Sequence, residues 1–373
     1  MRHYQVCTRC VMDTGAKDIT FDDDGVCNYC TDFLRLSGRF FRKEASLRRH
    51  ELDVFISKVK ADAKGKRYDC VLGVSGGVDS SWALVQAVKH GLRPLAVHMD
   101  NGWNSELAQN NIANLVRALG VDLYTHVIEW GEYQRLMQAF FDADVIDVEL
   151  LYDNAMRAVN YRQAAKYGIK CILSGSNDAT EGMRMPEEWN WFKLDVRNIR
   201  AIGRQFGGVR LDTFPYMGTL AYIWYSFIRG IRWVPFLNYF EYNKFAASDT
   251  LQGEYGFKPY PYKHYESVFT RFYQGYILPN KFGVDKRRLH LSSLIVSGQM
   301  DREEALKVLE GIPYPSDKDV ENDKRYFIKK MGWTMAQLSE YISRSEKSHL
   351  TYPSEKPMWD WIVSHTKPLR SGK

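Results

Sequence analysis

Residues 71–81, VLGVSGGVDSS, decide the fold of this chain. A short apolar run leads into two adjacent glycines, and the apolar-periodic residues 82–88, WALVQAV, follow directly. This pattern predicts a strand, a tight loop and a helix. The glycines let the loop turn with its N–H groups pointing inward, and the positive end of the helix dipole reinforces them. With the hydroxyl groups of Ser75, Ser80 and Ser81, the loop is a concave anion site suited to a phosphate chain.

The loop differs from the common nucleotide loop GxxxxGK[ST], because Asp79 stands where that motif requires a lysine. An acid among phosphates requires a metal between them, so Asp79 is a candidate ligand of Mg²⁺. The run SGGVDSS after a strand resembles the PP-loop of the N-type ATP pyrophosphatases, which grips the β,γ-pyrophosphate and cleaves ATP to AMP. The resemblance implies catalytic roles for Asp79 and Ser80, and ATP binding by Gly73, Ser75, Gly76, Gly77, Val78, Asp79, Ser80 and Ser81. The alternative is a Ser/Gly turn that only joins a strand to a helix.

The composition predicts a soluble globular protein of two or three structural units, with 373 residues of which 45% are apolar. No secretory leader and no apolar window long enough to span a bilayer is visible in the sequence, so we expect a cytoplasmic protein. The most apolar window, residues 214–228, is too short and too polar. The formal net charge of +6 is mild and argues little for a nucleic-acid partner.

Two CxxC pairs, at Cys7 and Cys10 and at Cys27 and Cys30, have the spacing of a tetrahedral four-cysteine zinc site. The turn sequence DDDG between them brings the second pair back to the first. We therefore predict a structural zinc ribbon in residues 1–35. Redox dithiols or an iron–sulfur cluster are alternatives with the same ligand count.

Residues 36–66 are expected to form a linking helix, whose apolar stripe includes Leu47, Leu52, Phe55, Ile56 and Val59. Residues 67–182 then alternate between strand and helix patterns. Strands are expected at residues 71–74, 92–100, 123–128 and 169–176, and helices after a cap at Asn104 and at residues 132–141 and 146–167. Right-handed crossovers between such units produce an α/β fold with a doubly wound parallel sheet.

Ligands of such sheets bind beyond the carboxyl ends of the strands, where the loop and residues 98–101 and 174–178 converge. By the PP-loop resemblance, Val97 and Met99 would flank adenine. The same resemblance places four further residues near the phosphates or the metal: Gly175, Asn177, Asp178 and Glu181. Alternatively, Asn177 and Asp178 form a turn and cap the next helix. Cys70 and Cys171 belong to buried strands, where packing is their expected role.

Residues 183–373 are predicted to be an aromatic-rich, mainly helical region for substrate or partners. The sequence pattern predicts no particular elements in residues 183–276. The aromatic residues there either form a stacking platform or the core of a helical subdomain. Lys286, Arg287 and His290 could hold a phosphate or carboxylate, or belong to a solvated basic helix. Asp301 and Glu304 are expected to form a capping box.

The joint pattern resembles one family nearly end to end. It comprises the two CxxC pairs, LGVSGGVDSS, VHMDNGW, LSGSNDATEG and GVDKRRLHLSSLIVSGQMDREEAL. This family is the N-acetyl sugar amidotransferases of lipopolysaccharide (O-antigen) and flagellin-glycan biosynthesis. The resemblance implies conversion of an N-acetyl group to an acetamidino group on a nucleotide-linked acetamido sugar, such as a UDP-diacetamido-uronic acid. This reaction uses ATP, and the expected cofactors are ATP, Mg²⁺ at Asp79 and Zn²⁺ at the four cysteines. Basic groups such as Lys286, Arg287 and His290 could hold the sugar carboxylate or its diphosphate.

No glutaminase nucleophile is visible, since Arg2 follows Met1 and no cysteine stands in a nucleophile elbow. The family implies that ammonia comes from a glutaminase subunit resembling the histidine-pathway glutamine amidotransferase, through a cyclase-like barrel subunit. The main alternative is a PP-loop enzyme that modifies tRNA, by thiolation or lysidine synthesis. A further alternative is a non-catalytic, zinc-containing assembly factor that binds nucleotide.

Overall fold

The structure is a computed structural model that describes residues 3–36, 43–260 and 265–370. Its centre is a five-stranded sheet in the order β3-β2-β1-β4-β5, in which every neighbouring pair is parallel. The strands are β1 (Cys70–Gly73), β2 (Pro94–Asp100), β3 (Asp122–Val127), β4 (Cys171–Ser174) and β5 (Arg232–Pro235). The chain runs outward from β1 through β2 to β3 and then returns to place β4 on the other side of β1. This reversal confirms the predicted doubly wound α/β fold.

Helices surround the sheet and make up most of the rest of the described chain. The α-helices span Asn28–Leu36, Ala45–Asp62, Val78–Lys89, Glu106–Leu119, Trp130–Asp142, Leu150–Lys166, Asp178–Glu181, Val196–Gly207, Thr219–Ile223, Lys244–Tyr255, Val268–Phe272, Arg287–Val296, Arg302–Glu310, Asp317–Met331, Met335–Ser343 and Lys356–Arg370. Two π-helical segments, Trp224–Ile228 and Tyr273–Phe282, continue the preceding helices without a break. Short 3₁₀ turns lie at Glu187–Trp189, Phe236–Tyr239 and His349–Thr351.

The central strands are mostly apolar because both of their faces are covered. Val71 of β1 pairs with Leu95 and Ile172, and all three belong to the larger hydrophobic cluster on one face. Leu72 and Leu173 pack into a second cluster on the opposite face. Continuous apolar runs are typical of strands in a parallel sheet covered by helices on both sides. Cys70 and Cys171 are fully packed in these strands, as predicted.

The four predicted strands are present, with ends shifted by one or two residues, but the structure adds a fifth. Strand β5, Arg232–Pro235, lies in the region for which no elements could be assigned. Its sequence RWVP is short, half buried and ends in proline, so it carries little periodic signal. It is a strand because it pairs with β4, with Cys171 opposite Arg232 and Ser174 opposite Pro235.

Two predictions about helix N-termini are wrong, the cap at Asn104 and the capping box at Asp301. Ser105, not Asn104, caps the helix Glu106–Leu119, and its hydroxyl accepts from Ala108 N at 3.1 Å. The Asn104 amide instead contacts His98 Nε2 and Asp100 Oδ1. Asp301 does occupy the cap position of its helix, but its side chain makes no capping bond there, so the predicted box with Glu304 is not formed.

The linking helix is shorter than predicted. It spans Ala45–Asp62 and buries Leu52, Phe55, Ile56 and Val59, whereas Leu47 is 48% exposed. Phe55 stacks on Tyr239 at a ring-centroid distance of 4.6 Å, which joins this helix to the segment after β5. Residues 37–42 of the predicted helix lie outside the described residues.

The cysteine-rich N-terminal segment packs against helices near the end of the chain. Arg302 donates to the carbonyl oxygens of Cys7 and Cys10, and Arg288 pairs with Asp13 at 2.9 Å. The largest hydrophobic cluster includes residues of this segment, of the sheet and of the C-terminal helices. The largest hydrophobic cluster thus runs across the predicted domain boundaries. The boundaries themselves remain predictions. Within the described residues, no helix is both long enough and apolar enough to cross a membrane.

Candidate active site and metal centre

The loop between β1 and the helix Val78–Lys89 is held by its own polar groups. Gly76 has φ +82°, and a Cβ there would lie 2.7 Å from Ala108 O, so the position requires glycine. Ser75 N donates to Ser80 Oγ at 3.2 Å, and Gly77 N donates to Ser75 Oγ at 3.3 Å. Gly77 caps the helix without a side-chain acceptor. The first turn of the helix therefore presents backbone N–H groups to an anion.

Gly175, in the turn after β4, lies directly against this first helical turn. A Cβ on Gly175 would lie 2.6 Å from Ser80 N and 2.7 Å from the carbonyl carbon of Asp79. The two turns that meet here follow β1 and β4, the strands between which the strand order reverses. This is the position at which open α/β sheets bind their ligands.

Asp79 is held by a residue that the sequence did not indicate. The phenol of Tyr242 donates a hydrogen bond to Asp79 Oδ1, although the two residues are 163 positions apart. Burial, with the neighbouring Asp79 charge, raises the pKa of Tyr242 well above its usual value, so the phenol keeps its proton and acts as a donor. The carbonyl of Tyr242 in turn accepts from Gln299 Nε2 at 3.2 Å. Only the tertiary fold brings these residues together, and no local pattern could have identified Tyr242.

A cavity of about 630 Å³ opens beside the loop. The fold brings most of the predicted site residues to its wall: Gly73, Ser75, Gly77, Val78, Asp79, Ser80, Val97, Met99, Gly175, Glu181, Lys286, Arg287 and His290. The predicted nucleotide residues and the predicted substrate residues thus share one cavity.

Four predicted residues do not line the cavity. Gly76 turns the chain against Ala108, and Ser81 is buried one turn into the helix. Asn177 caps the helix Asp178–Glu181, since its Oδ1 accepts from Thr180 N at 2.8 Å. Asp178 N donates to Asn238 Oδ1 at 2.8 Å. Asn177 therefore caps the next helix, which was the alternative prediction for this residue.

The predicted substrate cations are already paired with protein groups. Lys286 Nζ lies 2.9 Å from Glu149 Oε2, and both side chains are nearly buried. Arg287 binds Asp285 at 2.7 Å and also donates to the carbonyl oxygens of Val308 and Gly311. An anionic ligand at this wall would therefore meet Lys286 together with Glu149, and the substrate role of these cations stays a prediction.

Glu266 is an acidic residue of the cavity that sequence reasoning missed. A Cβ on Gly77 would lie 3.4 Å from Glu266 Oε1, so this carboxylate stands over the loop. The backbone oxygen of Glu266 accepts from Ser105 N at 2.8 Å, which fixes the segment beside the sheet. Glu266 has no motif around it that indicates a ligand role.

Three carboxylates therefore line the cavity around the loop: Asp79, Glu181 and Glu266. In the described part of the chain, the four cysteines are the only group of three or more potential metal ligands whose atoms lie within 4.8 Å of one another. The carboxylates thus form no closed cage. Mg²⁺ usually binds through one or two carboxylates together with water and substrate phosphates, so this arrangement fits a magnesium ion that arrives with ATP.

Cys7, Cys10, Cys27 and Cys30 form a compact, fully buried cluster. The sulfurs of Cys7 and Cys30 are 3.9 Å apart and those of Cys10 and Cys27 are 3.7 Å apart. A tetrahedron with metal–sulfur bonds of about 2.3 Å has edges of about 3.8 Å, so the cluster fits a tetrahedral zinc ion. Backbone N–H groups of Cys10 and Cys27 point at Cys7 Sγ, as expected for ligands held in thiolate form. The closed site has no open position for a substrate.

Parts of this chain are similar to known proteins. The sheet and loop define the class as an α/β protein of the PP-loop type. Residues 266–366 match the family model described as "LPS biosynthesis protein WbpG-like, C-terminal domain". This match confirms, for that part of the chain, the resemblance inferred from the sequence. The matched segment contributes Glu266, Lys286 and His290 to the cavity wall.

More distant likenesses cover other parts of the chain. The uncharacterized protein MJ1599 of Methanocaldococcus jannaschii is 29% identical over 119 residues, which are 31% of this chain and 40% of that protein. The chain thus spans two fifths of the length of this curated relative. Two solved structures are similar to the present chain, with low TM-scores. NMN synthetase from Francisella tularensis has 16% identity and a TM-score of 0.31, covering 57% of this chain and 87% of that one. The NH3-dependent NAD synthetase from Campylobacter jejuni has 14% identity and a TM-score of 0.29, covering 68% and 97%.

Proposed function

We propose that this protein is an ATP-dependent, AMP-forming amidotransferase of lipopolysaccharide biosynthesis. In this proposal it converts an N-acetyl group of a nucleotide-linked acetamido sugar, such as a UDP-diacetamido-uronic acid, to an acetamidino group. One observation carries the proposal: the phosphate loop and the WbpG-like segment line the same cavity. The loop that would bind ATP and a segment that matches a lipopolysaccharide-biosynthesis family model therefore border one space.

The chemistry requires activation of an amide, because an amide carbonyl is a poor electrophile. The amide oxygen attacks the α-phosphorus of ATP, the bond to the β-phosphate oxygen breaks, and pyrophosphate leaves. The resulting O-adenylyl imidate reacts with ammonia at its carbon. The C–O bond then breaks, AMP leaves, and the nitrogen gives up a proton as the amidine forms.

The residues of the cavity suit these two steps. The first-turn N–H groups after Gly77 and the hydroxyls of Ser75 and Ser80 would stabilise the leaving pyrophosphate. Asp79, oriented by Tyr242, would hold Mg²⁺, which neutralises charge on the phosphates. Val97 and Met99, at the end of β2, would contact adenine. Lys286 and His290 line the same cavity, and an anionic sugar would bind beside them.

We further propose that ammonia is supplied by a partner glutaminase. In this proposal the glutaminase resembles the histidine-pathway glutamine amidotransferase and acts through a cyclase-like barrel subunit. The isolated chain should then use a free ammonium salt but not glutamine. Amidine formation from glutamine by the purified chain alone would contradict this dependence.

The test is mass spectrometry of a UDP-diacetamido-uronic acid incubated with the protein, Mg-ATP and an ammonium salt. We expect a product in which NH replaces one oxygen, together with AMP and pyrophosphate. Asp79→Asn should abolish both, whereas Asp249→Asn, at an exposed residue that does not line the cavity, should not. Pyrophosphate release that depends on tRNA and not on any acetamido sugar would overturn the proposal in favour of a tRNA-modifying enzyme.

A further inference from the structure

One helix face carries an exposed apolar patch that the proposed reaction does not use. The patch consists of Leu220, Trp224, Phe227 and Ile228, which are 71%, 45%, 62% and 74% exposed. These residues follow one another at intervals of four, three and one, so they share one side of the continuous helix from Thr219 to Ile228. The side is apolar along its whole length.

The opposite side of the same helix is firmly anchored. Tyr222 and Tyr225 pack against Tyr161, with ring centroids 6.0 and 5.6 Å apart. Tyr222 also contacts Trp359 of the C-terminal helix at 5.8 Å. The patch is thus held in place by packing on its inner side and is not a frayed segment.

Positive charge surrounds one end of the patch. The guanidinium of Arg229 lies 5.3 Å from the ring centre of Trp224, and it donates to Ala165 O at 3.3 Å. Lys170 donates to the carbonyl of Arg229, and Lys166 follows Ala165 directly. Across the described ranges, these three cations form no ion pair with a carboxylate. An apolar face with aromatic residues and a cationic border is the pattern of helices that lie in the interface of an anionic bilayer.

The size of the patch suits shallow insertion into a bilayer, and its cationic border favours an anionic lipid surface as the occupant. Four side chains at these exposures present on the order of 400 Å² of apolar surface, within the range of the largest patches on monomeric proteins. Shallow insertion of a few aromatic and aliphatic side chains requires no more area than the patch offers.

The cations at the border of the patch lie at the end of the sheet away from the phosphate loop. Lys170 immediately precedes β4, and Arg229 precedes β5, so both lie at the amino ends of the strands. The phosphate loop lies at the carboxyl ends. We propose that this protein docks on anionic membrane surfaces through Leu220, Trp224, Phe227 and Ile228, with Arg229, Lys166 and Lys170 contacting lipid phosphates. Docked in this way, the cations at the lipid surface and the phosphate loop lie at opposite ends of the strands.

The test is co-sedimentation of the full chain with vesicles of phosphatidylcholine alone and of phosphatidylcholine mixed with phosphatidylglycerol. We expect binding to the anionic vesicles that weakens as salt is raised. The variant F227S/I228S should lower the partition coefficient by at least about tenfold, since it removes two inserted apolar side chains. The control V127S/W361S alters residues of similar exposure, 68% and 62%, elsewhere on the surface. It should bind like the wild type.

Each other outcome overturns the proposal. Failure to sediment with anionic vesicles would exclude a membrane role, and equal loss in the control variant would indicate non-specific adsorption. Sedimentation velocity of the protein without lipid tests a second copy as occupant, and a dimer that F227S/I228S dissociates would assign the patch to self-association. Circular dichroism checks that both variants are folded. The assay needs no enzymatic turnover, so its result is independent of the proposed reaction.

Discussion

Gly175 is the residue at which the turn after β4 meets the phosphate loop. Its Cα approaches the backbone of Asp79 and Ser80 so closely that no side chain fits between them. The consequence is functional as well as structural, because the contacted atoms belong to the helical turn that would bind phosphate. A backbone contact of this kind transmits any shift of β4 to the loop.

We therefore predict that Gly175→Ala displaces the first helical turn, lowers ATP affinity by at least about tenfold and destabilises the fold by about 1–3 kcal/mol. Isothermal titration with Mg-ATP and urea unfolding measure the two effects. Gly253→Ala is the matched control, since a Cβ there meets nothing within 4 Å and the residue lies in a helix. Unchanged ATP affinity in Gly175→Ala would show that the contact is not critical for the loop.

Tyr242 is a positioning residue for Asp79. Tyr242→Phe removes one hydroxyl, so Asp79 loses its donor while the ring packing remains. We expect kcat for pyrophosphate release to fall about tenfold and the Mg²⁺ concentration needed for half-maximal rate to rise, because the carboxylate is no longer held in one orientation. Tyr326→Phe, at an exposed site, is the control. A change in thermal stability alone, with Mg²⁺ dependence intact, would assign Tyr242 a purely structural role.

At the scale of elements, the N-terminal cysteine segment is held by the C-terminal helices and would depend on a metal bound by its four cysteines. It has few regular elements of its own, the helix Asn28–Leu36 and isolated bridges such as Val6 with Asp13. Its four thiols are the centre of its core, and Arg302 ties the backbone of Cys7 and Cys10 to the helix Arg302–Glu310. Loss of the metal should therefore loosen both ends of the chain.

We predict one zinc ion per chain, measured by plasma mass spectrometry, and its loss in Cys10→Ser. The thermal midpoint of Cys10→Ser should fall, because an unpaired thiolate cluster cannot replace the metal. Cys171→Ala, in β4, should retain full zinc content. Iron with visible charge-transfer absorption in place of zinc would support the alternative of an iron–sulfur cluster.

At the scale of the whole molecule, a buried network connects three distant parts of the chain. His349 Nδ1 lies 2.8 Å from Asn198 Oδ1, and His349 Nε2 accepts from Asp147 N at 3.3 Å. The ring also stacks on Trp191 at 4.8 Å. Because Nε2 is an acceptor, the ring is neutral with its proton on Nδ1. Burial lowers the pKa of His349 to about 3.

This network predicts how stability depends on pH. The folded-state pKa of His349 lies below the unfolded value of about 6.5, so the unfolded chain binds a proton first as pH falls. The contribution of His349 is complete above pH 6.5 and is lost between that value and pH 3, at up to about 1.4 kcal/mol per pH unit. Urea unfolding over this range should show a shallower slope for His349→Gln than for the wild type. His365→Gln, at an exposed site on the C-terminal helix, should leave the slope unchanged, and equal slopes in all three proteins would contradict the assignment.

The sequence by itself determined the elements whose signal is local. The loop 71–81, the four strands around it and the two CxxC pairs were predictable because turn glycines, apolar runs and ligand spacing act within a few residues of one another. Strand β5, the Tyr242–Asp79 hydrogen bond and the carboxylate of Glu266 over Gly77 were decided only by the tertiary structure. Each depends on partners about 60 to 190 positions away, and no periodicity or motif encodes such a pairing. The cation Lys286 shows the same limit, since its charge was evident from the sequence and its pairing with Glu149, 137 positions away, only from the fold.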